Sequence, residues 1–413
     1  MALSSKQREI LRFPYSNYTS IICDGAVRSG KTSIMSLSFV LWAMGNFNNR
    51  AFAICGKSVG AVERNIVTPL LGIRYLQQNF DMRYNRGDHM IIVRRGVKEN
   101  RFYLFGGKDE SSAALIQGIT LAGVLLDEVA LMPRSFVEQA LARCSVTGRK
   151  LWFNCNPDSN YHWFYKEWIR RAHERNALHL HFTMDDNPSL TEDIKAQYKS
   201  MFAGIFYQRY IEGLWVAADG VIYDMFSESE NVYRKEDEPK GLRHSAVKYI
   251  GVDYGTINDT VFLEAFDDGE TLWITREYRW ASREQHRQKT DSEYADDFME
   301  FMGSDPEGAC PAIVDPSAAS FKEELTRRGV YVRDAENDVL DGIRKVSTLM
   351  GQRRLKICET CTGLLEELSG YVWDEKAALN GVEKPVKVAD HGPDNLRYLC
   401  ATVIPGWRLG EVN

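Results

Sequence analysis

The stretch IICDGAVRSGKT, residues 21–32, decides how the first half of this chain is interpreted. A short apolar run leads into Gly25-x-x-x-x-Gly30-Lys31-Thr32, and an apolar-rich helical pattern follows over 33–44. Strand, glycine-containing loop and helix, in this order, are the context that a phosphate-binding P-loop requires. The sequence therefore predicts a nucleotide site here, and the alternative is a connecting loop that binds nothing.

Each residue type in this loop has an expected task. Gly25 and Gly30 let the backbone turn tightly, so that successive N–H groups face one centre near the positive end of the following helix. Lys31 is expected to place its ammonium on the β- and γ-phosphates, and the Thr32 hydroxyl is expected to bind Mg²⁺. The predicted ligand is thus ATP with Mg²⁺.

A second apolar run, Gly123-Val-Leu-Leu, ends in two adjacent acids, Asp127 and Glu128. Neighbouring side chains on a strand point to opposite sides, so the two carboxylates can serve different targets. We expect Asp127 to hold the Mg²⁺ shell and Glu128 to orient or deprotonate the attacking water. Acids that merely keep a strand end soluble are the alternative, but together with the P-loop they indicate ATP hydrolysis.

A third strand-like run, from Lys150, ends in Asn154-Cys-Asn156-Pro. Either asparagine could donate an amide hydrogen bond that senses the γ-phosphate. Ordinary turn chemistry after a strand explains the same pattern equally well. We place Asn156 among the expected nucleotide-binding residues.

Composition limits the class of protein. The chain has 413 residues, 44% of them hydrophobic and 26% charged, and a net charge of −6. This length predicts two domains, and the negative charge argues against a protein that coats nucleic acid with its whole surface. The sequence shows no secretory signal and no long apolar span, so we expect a cytoplasmic protein. The eight cysteines are scattered, as expected for reduced thiols.

Alternating apolar runs and helical patterns predict an α/β fold with a mostly parallel sheet covered by helices on both faces. Helical patterns then fill 161–175 and 191–212, and charge rises over 227–245. We therefore expect a P-loop domain over 1–212 that includes a helical linker subdomain from about 160, an inter-domain connection over 213–245, and a second domain over 246–413.

The second domain opens with an acid in a strand, Asp253, followed by a Gly-containing turn and another apolar strand, which is how RNase H-like folds begin. Asp315 ends a later strand, and Asp394 stands at the start of a helical pattern beside His391. Each acid alone has a structural explanation, for Asp394 a simple helix cap. Together they predict a nuclease site with two Mg²⁺ or Mn²⁺ ions, in which His391 orients groups or shuttles protons.

In combination, these motifs resemble those of the large terminase subunit of tailed bacteriophages and prophages. The resemblance covers nearly the whole chain and is carried by six segments: GAVRSGKT together with LLDE, Asp186-Asn187-Pro188, Gly213-Leu-Trp215, the GVDYG opening of the second domain, and the DHGPDNLRY ending. It implies a P-loop ATPase joined to an RNase H-like nuclease, which packages viral DNA and cuts it from concatemers.

The resemblance also implies the remaining site residues and the partners. Arg28 and Ser29 join the nucleotide-binding loop, and Gln7 contacts the adenine. Gly392-Pro393 and Asn395 depart from the small residues usual around the final acid, which would shift Asp394 or promote Asp390 to a ligand. The implied partners are double-stranded DNA, a portal protein, a small terminase subunit and further copies of the chain in a ring, in the cytoplasm of a bacterial host and without a membrane.

A rival interpretation stays open. A helicase-like repair or replication ATPase would share the P-loop, and its second, RNase H-like domain would bind DNA or a partner without cutting. The two interpretations differ in whether the second domain cleaves DNA with Mn²⁺.

Overall fold

The computed structural model describes residues 3–255, 259–282, 285–303 and 310–409. The chain divides into two compact units, the first formed by Met1–Lys195 with Gln208–Ala217 and the second by Ala196–Tyr207 with Ala218–Asn413. Part of the turn expected after Asp253, residues 256–258, lies outside the described residues.

The first unit is built on an eight-stranded sheet with the order β3-β4-β5-β2-β6-β7-β1-β8. Its strands are β1 (Ser20–Gly25), β2 (Ala51–Gly56), β3 (Asp81–Asn85), β4 (Met90–Arg95), β5 (Lys98–Gly106), β6 (Gly123–Leu126), β7 (Lys150–Asn154) and β8 (Ala177–Phe182). From β5 to β8 all neighbours are parallel, whereas β3, β4 and β5 form antiparallel pairs. The mostly parallel sheet expected from the sequence is confirmed.

Helices cover both faces of this sheet. Ile21 and Cys23 of β1 pack into one core cluster and Ile22 into another, because successive side chains alternate across a strand. The α-helices are α1 (Ser5–Arg12), α2 (Lys31–Asn46), α3 (Val59–Val62), α4 (Thr68–Leu71), α5 (Arg74–Asn79), α6 (Arg134–Arg143), α7 (Glu192–Ser200) and α8 (Gly204–Tyr210), of which α7 and α8 are divided between the two units. Shorter 3₁₀ and π segments include Glu63–Val67, Glu110–Ile116, Val129–Leu131, Tyr165–Ile169 and Met184–Asp186.

The second unit contains a seven-stranded sheet with the order β14-β13-β10-β11-β12-β15-β9. Its strands are β9 (Val232–Tyr233), β10 (Val247–Asp253), β11 (Thr260–Asp267), β12 (Leu272–Trp280), β13 (Ala312–Val314), β14 (Val332–Asp334) and β15 (Leu355–Cys358). An antiparallel meander, β10-β11-β12, carries parallel strands on both sides. This is the arrangement expected for an RNase H-like domain.

One helix of the second unit lies directly on the first strands of the meander. The helices are α9 (Glu228–Asn231), α10 (Leu242–Ser245), α11 (Asp291–Met302), α12 (Ala319–Arg327), α13 (Val339–Gly351), α14 (Thr362–Gly370), α15 (Glu375–Leu379) and α16 (His391–Val403). The Asn395 amide of α16 donates to the carbonyls of Gly251 and Val261, at 3.0 and 2.8 Å. A Cβ atom at Gly251 would stand 2.1 Å from Asn395 Oδ1, so this close approach needs glycine. Asn395, which departs from the usual pattern, thus fixes α16 to the sheet.

Two segments differ from the sequence expectation. The helix expected over 161–175 is reduced to Tyr165–Ile169 with flanking turns, and β8, which no pattern predicted, pairs with β1 at the edge of the sheet. In β8 the central residues are partly buried or, at His179, exposed, so this strand lacks the continuous apolar run of the inner strands. The charged stretch 227–245 contains β9, whose two residues pair with β15.

Two simpler features complete the description. Each of the eight cysteines is a buried free thiol. Among the described helices, none combines the length and apolar character needed to cross a membrane.

Candidate functional sites

The predicted P-loop forms the connection between β1 and α2. Gly30, with φ at 81°, precedes the helix, and no side chain caps its first N–H groups. These groups and the positive end of a sixteen-residue helix are therefore available to an anion. A Cβ at Gly30 would stand 2.7 Å from Nε2 of Gln7, a buried residue of α1. The loop fits a phosphate group, and Gln7 lies against it.

Lys31 is folded back into this loop. Its ammonium donates to the carbonyls of Gly25 and Ala26, at 3.0 and 2.8 Å, and to the side-chain oxygens of Ser29 and Asn156, both at 3.2 Å. Burial lowers the pKa of Lys31 to about 8, despite the raising effect of nearby acids. The ammonium therefore lies inside the cradle that phosphate oxygens would enter.

Thr32, Asp127 and Asn154 form a second group beside Lys31. Thr32 Oγ1 lies 3.3 Å from Asp127 Oδ1, and the Asn154 amide donates to Thr32 Oγ1 at 2.8 Å and also to Asp127. Strand order explains the meeting, because β7, which ends at Asn154, lies between β1 and β6. Burial and the charge of Glu128 raise the pKa of Asp127 to about 6, although bonds from Asn154 and Thr32 oppose this. A hydroxyl beside a carboxylate fits Mg²⁺.

The structure separates the roles of the two asparagines. Asn156 contacts Lys31, whereas Asn154 contacts the hydroxyl and carboxylate expected to hold the metal. From the sequence, either asparagine could sense the γ-phosphate, and only Asn156 is placed among the nucleotide-binding residues. Only the strand order, in which β7 lies between β1 and β6, shows that Asn154 belongs to the expected metal site.

Glu128 follows β6 in a left-handed backbone conformation, with φ at 57° and ψ at 44°. Such a conformation in a residue other than glycine costs roughly 1–2 kcal/mol and is frequent at functional positions. Burial raises the pKa of Glu128, while the charges of Lys57 and Arg64 lower it. A carboxylate with a raised pKa at this position suits proton abstraction from water.

The outer side of the P-loop is held by another asparagine. Asn187 donates through its Nδ2 atom to the carbonyl of Arg28, at 2.7 Å. Arg28 is exposed and also has a left-handed backbone, with φ at 56°. The Asp186-Asn187-Pro188 motif of the sequence analysis therefore has a structural task at the loop.

A buried acid at the end of β1 was not anticipated from the sequence. Asp24 is 1% exposed and accepts hydrogen bonds from Trp215 Nε1 at 2.7 Å, His179 Nε2 at 2.8 Å and His181 Nδ1 at 3.2 Å. Burial alone would raise the pKa of Asp24, but the two histidines outweigh it and the pKa is lowered. Asp24 thus ties the segment 213–217 to the strand that enters the P-loop.

In the second unit, a cavity of about 620 Å³ collects most of the predicted nuclease residues. Asp253 ends β10, and Asp394 and His391 lie in the first turns of α16. Asp315 follows β13, which runs parallel to β10 with Val314 opposite Val252. The lining residues include Asp253, Asp259, Glu367, Lys387, Asp390, His391, Asp394 and Tyr398.

Each predicted acid has protein partners. Asp253 Oδ2 lies 2.7 Å from His391 Nδ1; Asp394 accepts from Tyr371 at 3.0 Å and from Lys387 at 2.6 Å. Asp315 is not part of the cavity wall but accepts from the Tyr398 hydroxyl, which is, at 2.6 Å. The structure therefore brings Asp253, His391 and Asp394 into one cavity and links Asp315 to it through Tyr398.

Burial and like charges govern the titration of this cavity. Burial is the largest effect that raises the pKa of Asp253, and the charges of Asp394 and Asp390 add to it, against the lowering bond from His391. For His391, burial lowers the pKa, but Asp253 and the other nearby acids outweigh burial and raise it. The pair shares a site in which extra positive charge is favoured.

Among the described residues, no three His, Cys, Asp or Glu side chains stand in an arrangement ready to hold a metal ion. Lys387, Tyr371 and Tyr398 occupy carboxylate oxygens that a metal would need. One buried acid oxygen, Asp390 Oδ2, nevertheless accepts no hydrogen bond of good geometry in the described part of the chain. The donor set fits Mg²⁺ or Mn²⁺ once Lys387 is displaced, and the assignment of Asp253, Asp315 and Asp394 as ligands stays a prediction.

Two residues that no sequence motif indicates, Glu367 and Arg279, support the start of α16. Glu367 accepts from the backbone N–H of Gly392 at 2.6 Å and pairs with Arg279 through both oxygens, at 2.6 and 2.9 Å. The bond holds the first turn of α16 beside His391. Neither residue lies in a motif, so only the fold identifies them.

Comparisons with known proteins agree with this architecture. The family model "Terminase large subunit, T4likevirus-type, N-terminal" matches residues 22–230, just over half of the chain. The terminase large subunit of Escherichia phage T5 is 27% identical over an alignment of 236 residues, which covers 54% of this chain and 51% of that protein. The matched part therefore spans about half the length of the T5 protein.

Solved structures of the large terminase from a thermophilic bacteriophage are more similar. One is 47% identical with a TM-score of 0.91, and the match covers 98% of this chain and 100% of the other. A structure of the same thermophilic phage protein in complex with ATP-gamma-S is 46% identical with a TM-score of 0.87, and the match covers the same shares. Family model, sequence identity and coverage agree, and the chain belongs to the family of phage terminase large subunits.

Proposed function

We propose that the first unit hydrolyses ATP at the loop between β1 and α2. The observation that carries this is the convergence of Thr32, Asp127 and Asn154 beside a lysine already seated in the phosphate cradle. The terminase of the thermophilic bacteriophage, with the same fold, has been solved with ATP-gamma-S and with ADP, which supports nucleotide binding by this chain.

The residues of this site divide the work. The N–H groups at the start of α2 bind phosphate oxygens. When a nucleotide binds, the Lys31 ammonium leaves the carbonyls of Gly25 and Ala26 and donates to the phosphate oxygens instead. Thr32 and Asp127 hold Mg²⁺, which when bound neutralises the charge that develops on the phosphates. Glu128 accepts a proton from the attacking water, and Asn154 keeps Asp127 and Thr32 in place. Gln7, Arg28 and Ser29 complete the pocket, with Gln7 against the adenine.

We propose that the second unit is a divalent-cation-dependent endonuclease. Asp253, Asp394 and Asp315 hold the ions, which when bound activate water and stabilise the leaving oxygen of a phosphodiester. His391, paired with Asp253, moves a proton at its other ring nitrogen. Several acids share this cavity of about 620 Å³, and their negative charge favours a cation there.

In the family role proposed for the whole chain, hydrolysis drives double-stranded DNA into a procapsid and the nuclease cuts concatemeric DNA. The segment over 161–212, which contains α7 and α8 besides the edge strand β8, is the part we expect to move with the nucleotide state. Copies of the chain form a ring on the portal protein, and a small terminase subunit brings the DNA, in the cytoplasm of the bacterial host. Family membership supports these partners.

Paired measurements test both activities. Lys31→Ala should abolish ATP turnover, and a double substitution, Asp253→Ala with Asp315→Ala, should abolish Mn²⁺-dependent nicking of plasmid DNA while ATP turnover persists. Normal ATP turnover in Lys31→Ala would refute the ATPase. A wild-type chain that binds DNA but never cuts it with Mn²⁺ would favour the helicase-like alternative.

A further inference from the structure

We propose that Asp390 is a further carboxylate of the nuclease cation site, and that the Lys387 ammonium occupies a cation position there until a divalent ion displaces it. The inference rests on the proposed nuclease function and adds a ligand and an internal competitor to it. The geometry of these two side chains with Asp394 carries the argument.

Asp390 has no structural task of the usual kind. It occupies the N-cap position of α16, where an aspartate normally accepts a hydrogen bond from an N–H of the first turn, yet its side chain caps nothing. The residue is only 6% exposed, it lines the cavity, and its Oδ2 atom accepts no well-directed hydrogen bond from the described residues. A buried carboxylate oxygen without a well-directed hydrogen bond lowers the stability of the fold unless a cation lies beside it.

Lys387 supplies that cation in the structure. Its Nζ atom lies 2.9 Å from Asp390 Oδ2 and 2.6 Å from Asp394 Oδ2, so one ammonium bridges two carboxylates. A divalent ion that binds both acids would occupy this same region. The Lys387 side chain is 60% exposed and lies outside helices and strands, so it can leave without disturbing the core.

The ion pairs around the cavity show that Lys387 is the cation that neutralises Asp390 and Asp394. The other acids of the wall have partners of their own, because Arg279 pairs with Asp259 at 3.2 Å and with Glu367 at 2.6 Å, and His391 pairs with Asp253. The Nη2 atom of Arg397 lies 3.4 Å from the other oxygen of Asp394, and among the described residues Arg397 forms no ion pair with Asp390. Lys387 is thus the cation between Asp390 and Asp394, and one ammonium there carries half the charge of a divalent ion.

Mn²⁺ affinity measures this competition directly. The 413-residue chain would carry Asp127→Asn throughout, to remove the metal-binding carboxylate at the nucleotide site, and would be titrated with Mn²⁺ by calorimetry and by electron paramagnetic resonance. Lys387→Met should tighten Mn²⁺ binding roughly threefold to tenfold, a modest change because the lysine is partly exposed. Asp390→Asn should weaken Mn²⁺ binding by roughly tenfold, as expected for a lost ligand contact.

A matched control separates local from general charge effects. Lys384 lies on the same segment and pairs with Asp374 at 3.8 Å, away from the cavity wall. Lys384→Met removes the same charge and should leave Mn²⁺ affinity unchanged. In a double-mutant cycle, the gain from Lys387→Met should shrink when Asp390→Asn is present, because the two side chains act on each other.

Thermal unfolding gives a readout that does not need catalysis. In EDTA, Lys387→Met should melt at a lower temperature than the parent chain, because the carboxylates of Asp390 and Asp394 lose the cation between them. Mn²⁺ should raise the melting temperature of Lys387→Met by more than it raises that of the parent. If Lys387→Met binds Mn²⁺ no better than the parent or the Lys384 control, or if Asp390→Asn binds as well as the parent, the inference is overturned while the nuclease proposal stands. If neither the parent nor any variant binds Mn²⁺ in this unit, both proposals fail.

Discussion

The Nδ2 atom of Asn154 donates a hydrogen bond to Oγ1 of Thr32 over 2.8 Å. The same amide donates to Asp127, so one side chain fixes the relative positions of the hydroxyl and carboxylate proposed to hold Mg²⁺. We predict that Asn154→Ala lowers ATP turnover by roughly tenfold to a hundredfold, the usual effect of losing a group that orients metal ligands. Steady-state phosphate release measures this. Turnover at the parent rate would show that Asn154 is only a strand-end residue.

The backbone of Glu128 places its carboxylate beyond β6 in a left-handed conformation. We predict that Glu128→Gln lowers the ATP hydrolysis rate by roughly a hundredfold to ten-thousandfold, since the amide cannot accept the proton of water. The affinity for a fluorescent ATP analogue should stay close to that of the parent chain, because glutamine has the same shape as glutamate. A variant that hydrolyses normally would assign the base to another group.

Asp24 is predicted to stabilise the first unit through its three side-chain partners. Asp24→Asn keeps the volume but loses the charge that His179, His181 and Trp215 contact, and a hydrogen bond to a charged group contributes roughly 1.5–3 kcal/mol. We expect the free energy of unfolding to fall by an amount of that order, measured by urea unfolding monitored by circular dichroism. Trp215→Phe removes one of the three donors and serves as the milder comparison. Equal stability of Asp24→Asn and the parent would contradict the structural assignment.

Stability at low pH should depend on Glu264, which is buried in the sheet of the second unit. Burial raises its pKa, but bonds from Arg276 and Thr275 and the charge of Lys248 outweigh burial and lower the pKa to about 2. Because the folded-state pKa lies below the usual 4.5, ionised Glu264 adds stability that is complete above pH 4.5 and is lost as the pH falls towards 2.

The measurement is the urea midpoint of the parent chain and of Glu264→Gln between pH 7 and pH 3. Glu264→Gln should be less stable than the parent at pH 7, and the difference should narrow as the pH falls. A difference that stays constant across this range would mean that the carboxylate charge contributes nothing.

The sequence was sufficient for the parts of the molecule that are local in the chain. The order of strand, loop and helix around Lys31 and the acids after β6 are short patterns, and both occupy the predicted places. Parallel strands gather their carboxyl ends at one edge, so the meeting of Thr32 with Asp127 followed from the fold class.

What the sequence could not supply depends on contacts between distant segments. Selecting Asn154 over Asn156 required the strand order, and β8 lacked the apolar run that marks an inner strand. The roles of Asp24 and Glu367 arise from partners far along the chain, Trp215 for Asp24 and Gly392 for Glu367. Lys387 has its partners, Asp390 and Asp394, nearby in the sequence, but it belongs to no motif. Such pairs leave no periodic signal.

The proposal that acids from β10, β13 and α16 form one divalent-cation site is tested most directly by anomalous X-ray scattering from crystals soaked in Mn²⁺. We expect manganese peaks bonded to Asp253, Asp315 and Asp394, with Asp390 as a further ligand and the Lys387 ammonium moved away. Manganese absent from Asp253 and Asp394 at saturating concentration, with Lys387 still between Asp390 and Asp394, would contradict the nuclease assignment.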